Sequence, residues 1–197
     1  MTNTASFSFD PIVITAEQGD ILTVDILMYS GTDPVVSSDV WVSYNPDFLT
    51  PITEGDYDMK PGNFFQITDV KIFSPGKIYL YAINQSPTAS DTTNGRLASV
   101  SFKAQKKGTT ELRFDCMPFQ KQTSQIIRQD PEFTNIINCA STRSHTSVIT
   151  IDQGGVLGAS TQNSNQTIYI GLAILFALLV GLLLLRYTRL SKTLKTS

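Results

Sequence analysis

The chain has 197 residues, a formal net charge of −2 and only 16% charged residues, so no basic surface is predicted for nucleic acid. Without an apolar run near the C-terminus and its flanks, about 150 residues remain, which is the usual size of a single domain. Helix-forming runs are absent before that apolar run, whereas short blocks of Val, Ile, Thr, Tyr and Phe recur between turn signals. This pattern predicts an all-β domain over residues 1–151.

The first blocks alternate in the manner of strands with one wet face. Phe7 and Phe9 alternate with serines, and the block continues through residues 12–14 to a turn at Gly19 and Asp20. Residues 22, 24, 26 and 28 are apolar and share one face of the second block. We expect these faces to lie on the core.

The next block, residues 37–44, divides into two faces by the period of two. One face carries Val40, Val42 and Tyr44, and the other carries Ser37, Asp39, Trp41 and Ser43. Trp41 therefore shares a face with Asp39.

The segment YNPDFL ends this strand in a tight corner. Pro46 lacks an amide N–H and disfavours the helical region for Asn45, so the strand cannot continue. We expect Phe48 and Leu49 to turn back to the core.

The block KIYLYAIN is apolar on both faces, which is unusual for an antiparallel strand. Odd positions 79, 81 and 83 alternate with even positions 78, 80 and 82, and both sets are apolar or aromatic. This predicts either burial on both sides or an adhesive outer patch. A final strand over residues 145–151 completes the domain.

Cys116 and Cys139 are the only cysteines. An even count in a compact exported domain favours a disulfide that closes an irregular excursion between them. The alternative is two unpaired core thiols.

The C-terminal part predicts a membrane anchor. Residues 152–167 are rich in Gly, Ser, Asn and Gln and predict a flexible linker. Residues 168–185 form an uncharged apolar run, close to the roughly 20 residues that span a bilayer core as a helix. The short tail, residues 186–197, has only basic charges, which predicts a cytoplasmic C-terminus and an extracytoplasmic domain at the cell membrane.

Export of a domain that precedes its only span needs an N-terminal signal. The segment MTNTASFSFD has no apolar core, so we expect the signal to be missing from this version of the chain. The alternative is a tail-anchored protein with a cytosolic domain, which requires the basic tail to cross the membrane.

Catalytic motifs are sparse. His145 is the only histidine, and no motif supplies it with a nucleophile and an orienting group. Glu54, Asp56 and Asp58 cluster in a turn-rich loop, but they lack the ligand spacing of an EF-hand. We therefore predict neither an enzyme nor a resident metal or cofactor.

The order of blocks resembles the cohesin family. EQGDILTVDILMYSG, SDVWVSYNPDFL, GKIYLYA and NGRLASVSFKAQKKGTTELRF are similar to the family's GD turn, its Y-(D/N)-P-x-x-L corner and its G-x-(apolar)-A-x-(apolar)-x-F strand. The resemblance covers most of residues 6–151. It implies a jelly-roll β-sandwich of about nine strands, related to carbohydrate-binding modules, which captures a calcium-loaded helical dockerin on one sheet face.

The resemblance also implies a partner-binding face. Asp39 matches an Asp that faces the partner in the family, whereas Ser37 replaces an Asn. The resemblance therefore implies that Trp41, on the same face, also points outward, where an indole is a strong anchor for a partner. The alternative is a register shifted by one, with Trp41 in the core. The corresponding positions in the hairpin that follows are Phe73, Ala82, Asn84 and Gln85. The predicted function is a cell-surface anchoring module for a dockerin-type partner in a cellulosome-like assembly. The alternatives are polysaccharide binding through Trp41 and exposed tyrosines, or a structural envelope protein.

Overall fold

The computed structural model describes residues 5–55, 58–62, 65–84, 94–118 and 120–153. The first strands in chain order are β1 (Ser6–Asp10), β2 (Val13–Glu17), β3 (Ile21–Tyr29), β4 (Val35–Ser43), β5 (Leu49–Pro51) and β6 (Lys60–Pro61). The elements that follow are β7 (Ile67–Ser74), β8 (Lys77–Ile83), β9 (Asn94–Ala104), β10 (Gly108–Phe114), β11 (Gln125–Arg128), helix α1 (Cys139–Ser144) and β12 (Ser147–Asp152).

These strands form two sheets. The smaller sheet has the order β1-β3-β9-β5, with β6 also paired to β9, and the larger sheet has the order β2-β12-β10-β4-β8-β7, with β11 also paired to β4. The predicted all-β sandwich is confirmed. The strands outnumber the expected nine for two reasons. β5, β6 and β11 are only two to four residues long, too short to be recognised by their alternation, and the first predicted strand is divided in two.

The division of that first strand places its halves in different sheets. β1 pairs with β3 in the smaller sheet, and β2 pairs in parallel with β12 in the larger one. The break lies at Asp10 and Pro11, which are joined by a cis peptide bond. A proline has no N–H for the ladder, so the chain can leave one sheet here and enter the other.

The core lies between the two inner faces. Val40 and Val42 of β4, Leu80 of β8 and Val24 of β3 are fully buried, as the alternation predicts. Phe9 of the smaller sheet stacks on Phe114 of the larger sheet, with ring centroids 4.0 Å apart.

The corner after β4 has the predicted form. The Asn45 carbonyl accepts hydrogen bonds from the N–H groups of Phe48 and Leu49, each at 3.1 Å. The Asn45 side chain accepts a third from the Asp47 N–H at 3.0 Å. Leu49 is fully buried, so the chain returns to the core within one turn.

The predicted disulfide is confirmed between Cys116 and Cys139. It joins the residues after β10 to the first residue of α1. The segment that it closes is less irregular than predicted, because it contains β11, which pairs with β4 through Gln125 and Asp39. A four-residue strand has too few residues for its alternation to be recognised in the sequence.

The C-terminal predictions lie almost entirely outside the described residues. Contacts divide the chain into a unit that ends at Gly154 and a second unit from Gly155 onward. Residues 154–197, with most of the predicted linker and all of the predicted span and tail, are not described. In the part of the chain that is described, no helix has the length and apolar character needed to cross a membrane.

Candidate protein-binding face

The candidate site is the outer face of the larger sheet, where β4 and β8 lie side by side. Trp41 pairs with Tyr79, and Asp39 pairs with Tyr81. Residues that pair across an antiparallel ladder point to the same face, so these four side chains project outward together. The inner face below them holds Val40, Val42 and Leu80, all fully buried.

An aromatic cluster occupies this outer face. It consists of Trp41, Phe73, Tyr79 and Tyr81. The Trp41 ring lies 4.8 Å from Phe73 in an edge-to-face arrangement and 4.6 Å from Tyr79, and the Tyr79 and Tyr81 centroids are 6.2 Å apart. Such pairs add about 1 kcal/mol each to the burial of their surface.

The Trp41 side chain points in the predicted direction but is more buried than expected. It faces outward, so the shifted-register alternative is wrong, yet only 9% of its surface is exposed. Phe73 and Tyr79 cover the ring, and Phe73 itself is 50% exposed. Ser124 holds the backbone from the other side, since its hydroxyl accepts a hydrogen bond from the Trp41 N–H at 2.9 Å. Trp41 is therefore the base of the cluster, and Phe73 is its exposed surface.

Asp39 lies on the same face and accepts a hydrogen bond there. The Tyr79 hydroxyl donates a hydrogen bond to its Oδ1 at 2.5 Å. Partial burial and the bond to Asp39 raise the pKa of Tyr79. Lys71 Nζ lies 5.6 Å from the centroid of the Tyr79 ring, within the range of a cation–π contact. This bond orients Oδ1 of Asp39, and no described residue donates a hydrogen bond to its second carboxylate oxygen.

A polar network adjoins the aromatic cluster at the start of β8. Lys77 Nζ donates to the Ser43 hydroxyl at 2.7 Å, and that hydroxyl donates to Asp115 at 2.6 Å. Lys77 and Asp115 also form an ion pair. The outer face thus changes from aromatic to charged along β4 and β8.

Two predicted site residues face the other way. Ala82 is 1% exposed and Asn84 is 6% exposed, so neither is available to a partner on the outer face. Ala82 shares the inner face with Leu80. Asn84 is used internally, since its side chain donates to the Val35 carbonyl at 3.3 Å and accepts from the Gln66 N–H at 3.2 Å. The prediction was wrong because Ala82 and Asn84 have the even parity of the buried Leu80, whereas the outward positions of β8 are odd.

The remaining predicted residues divide into three cases. Phe73 is exposed on the outer face, and Ser37 and Asp39 are half-buried on it. Gln85 lies outside the described residues.

Several residues of this face were not predicted. They are Lys71, Tyr79, Tyr81, Gln125 and Ile127. The double apolar pattern of β8 was the available signal for the two tyrosines. No signal indicated Gln125 and Ile127, which reach the face because β11 pairs with β4.

Possible metal ligands do not cluster in the described ranges. No group of three or more His, Cys, Asp or Glu side chains converges there. His145 Nδ1 lies 2.8 Å from the Phe7 carbonyl, where the ring links α1 to β1. Both cysteines are in the disulfide.

Comparison with known proteins identifies the fold. No protein-family model and no curated protein matches the chain. Solved structures do match, and those that follow are cohesins. The cohesin CaCohA2 of Clostridium acetobutylicum is 19% identical, with 77% of this chain and 92% of that chain aligned and a TM-score of 0.57.

Two further structures give the same result. A type I cohesin–dockerin complex from Clostridium thermocellum is 14% identical, with 76% of this chain and 99% of that chain aligned and a TM-score of 0.57. The cohesin module of a family 33 glycoside hydrolase from Clostridium perfringens is 11% identical, with coverages of 77% and 99% and the same TM-score of 0.57. The resemblance noted in the sequence is thus confirmed at the level of the fold: the domain has the fold of cohesin modules.

Proposed function

We propose that this domain is a non-catalytic binding module that recognises a dockerin-type protein partner through the outer face of its larger sheet. The fold supports this proposal, because a solved structure with the same fold is a cohesin–dockerin complex. The observation that carries it is the aromatic cluster beside Asp39. Phe73 is 50% exposed and Ile83 is 39% exposed on the same face, so apolar surface surrounds a fixed hydrogen-bond acceptor.

This combination suits a protein surface. Binding hot spots pair aromatic anchors with a few oriented polar groups and exclude water around them. The Asp39 carboxylate offers an acceptor for a hydroxyl or a cationic group, and the neighbouring Lys77 and Asp115 supply charges of both signs. The partner that fits has an apolar strip flanked by hydrogen-bond donors.

A sugar-stacking role is less well supported by the same rings. Trp41 is mostly covered, and its ring is inclined by 75° to Phe73 and by 34° to Tyr79. The cluster therefore does not offer the coplanar row of exposed rings that a polysaccharide chain would stack on.

The test is capture of a dockerin protein by the full chain in detergent micelles, first in calcium and then in excess chelator. We expect binding in calcium and its loss in chelator, because the calcium loops of such a partner fold only with metal. Absence of binding to every dockerin of the source organism would refute the proposed partner class.

A matched pair of variants tests the face. Phe73→Asp places a charge on the aromatic cluster, and Phe133→Asp places the same charge at another exposed phenylalanine, 63% exposed. We expect the first to weaken binding by about tenfold or more, and the second to leave it unchanged. Equal effects would move the binding site away from this face.

We further propose that residues 168–185 anchor the chain in the cell membrane, with the domain outside and residues 186–197 in the cytoplasm. The uncharged length of the run and the basic tail support this arrangement. The membrane fraction should retain the chain in alkaline carbonate, and protease added to intact cells should remove the domain. Release by carbonate would contradict the anchor, and protection from protease would contradict the orientation.

A further inference from the structure

The two edges of the larger sheet differ in how they are protected. β7 carries the exposed charges Asp69 and Lys71, and its register shifts between Ile72 and Ser74. Charges and irregularities of this kind prevent another strand from pairing with an edge. β2, at the opposite edge, carries no charge before Glu17. Within the described residues, the β2 edge has no such protection before Glu17.

The free backbone groups of β2 follow from its pairing with β12. Ile12 accepts a hydrogen bond from the Val148 N–H, and Gln18 donates one to the Asp152 carbonyl, each at 2.9 Å. Successive residues of a strand point their backbone groups to opposite sides, so residues 12, 14, 16 and 18 face β12. Val13 and Thr15 therefore direct their N–H and C=O groups to the open edge, where no described residue pairs with them.

The next edge-facing residue, Glu17, has its backbone groups already hydrogen-bonded within the chain. The Glu17 N–H donates to the Asp20 carboxylate at 2.9 Å, and the Glu17 carbonyl accepts from the Asp20 N–H at 3.0 Å. The turn at Gly19 and Asp20 thus occupies the next pair of groups. Four backbone groups of β2, two donors and two acceptors, thus have no partner among the described residues.

We propose that two copies of this chain associate by antiparallel pairing of their β2 strands about a two-fold axis at Ile14. In this register Val13 of each copy lies opposite Thr15 of the other, and all four open groups of each strand are paired. Moving the axis to Val13 would place Thr15 opposite Pro11, which has no N–H. Moving it to Thr15 would place Val13 opposite Glu17, whose groups are already bonded within the turn.

The side chains suit a second copy in the same register. Ile12 is 60% exposed, Val13 is 66% exposed and Val148 is 36% exposed, so the edge carries apolar surface that pairing would cover. The nearest charges, Asp10 and Glu17, lie outside the four bonds. The larger sheets of the two copies would then form one continuous sheet.

Cysteine cross-linking tests the register on the full chain in vesicles. One chain carries Val13→Cys, and a second chain with a larger tag carries Thr15→Cys. Both native cysteines are in the disulfide, so each introduced thiol is the only free one. A hydrogen-bonded pair has its Cα atoms about 5.5 Å apart, within disulfide reach, whereas two copies of Val13 would be roughly 9 Å apart and out of reach.

Mild oxidation of the mixture should give the mixed dimer in about fivefold or greater excess over either homodimer. Phe133→Cys, at an exposed loop position, measures random collision. Homodimers as abundant as the mixed dimer, or mixed dimers no more abundant than those of Phe133→Cys, would overturn the proposal.

A second measurement places the cysteine at Ile14, the residue on the proposed two-fold axis. Ile14→Cys should cross-link to its own copy, and adding Thr15→Pro should reduce that cross-linking severalfold by removing an open N–H. Because that N–H faces away from β12, the proline breaks no bond within the domain. Undiminished cross-linking with the native disulfide intact would contradict pairing through β2.

Discussion

The two faces of β8 contain similar numbers of apolar side chains but have different environments. Ile78, Leu80 and Ala82 are at most 1% exposed on the inner face, whereas Ile83 is 39% exposed on the outer face and Tyr79 and Tyr81 are half-buried. The inner set is enclosed by a second sheet, while the outer set is covered only by its neighbours. Apolar character thus predicts that a side chain will be covered, but not by what.

The largest expected difference in stability between the two faces comes from a matched pair of alanine substitutions in β8. Leu80→Ala should lower the free energy of unfolding by about 3 kcal/mol, because it removes buried methyl groups and leaves an enclosed cavity. Ile83→Ala removes the same number of carbons, but its site is open to water, and we expect a loss below about 1 kcal/mol. Urea unfolding of both variants measures this, and equal losses would show that the outer face is as enclosed as the core.

Trp41 tests the intermediate case, an outward side chain that is nonetheless covered. Trp41→Ala should lower the free energy of unfolding by about 2 kcal/mol, less than a core tryptophan, because water can enter the space left beneath Phe73. Trp41→Phe should recover part of this loss by restoring a ring to contact Tyr79. An unchanged unfolding midpoint for Trp41→Ala would mean that the aromatic cluster adds nothing to stability.

The smallest expected effect concerns the hydrogen bond from Tyr79 to Asp39. Tyr79→Phe should cost about 1 kcal/mol at neutral pH. Because partial burial and Asp39 raise the pKa of Tyr79, the folded protein keeps this proton where the unfolded chain loses it. The contribution is complete below the ordinary tyrosine pKa of 10.0 and declines as the pH rises above it.

The stability difference between the wild type and Tyr79→Phe should therefore shrink at alkaline pH. Tyr81→Phe is the control, since the described part of the chain gives the Tyr81 hydroxyl no hydrogen-bond partner. A difference for Tyr79→Phe that stays constant with pH would contradict the role of Asp39.

The sequence predicted the strands whose alternation is long. The inner positions of β3 and β4, the corner at Asn45 and Pro46, and the disulfide all follow from local pattern or from cysteine count, and the structure confirms them. The face to which Trp41 points was also predictable, because Val40 and Val42 fix the parity of the strand.

The candidate site was predictable only in part. Asp39, Trp41 and Phe73 were placed on the correct face, but Ala82 and Asn84 were not, because the family positions fell on the even parity of β8, which faces the core. β11 was missed because four residues are too few to show a period.

Alternation along one strand determines which side chains share a face, since successive residues of an extended chain point in opposite directions. Only the tertiary structure decides what covers each face, because burial depends on strands distant in sequence. Trp41 is covered by Phe73 and Tyr79 from β7 and β8 and is held by Ser124 from the disulfide-closed segment. For the same reason, the open groups of Val13 and Thr15 could be identified only once β2 was seen to lie at the edge of its sheet.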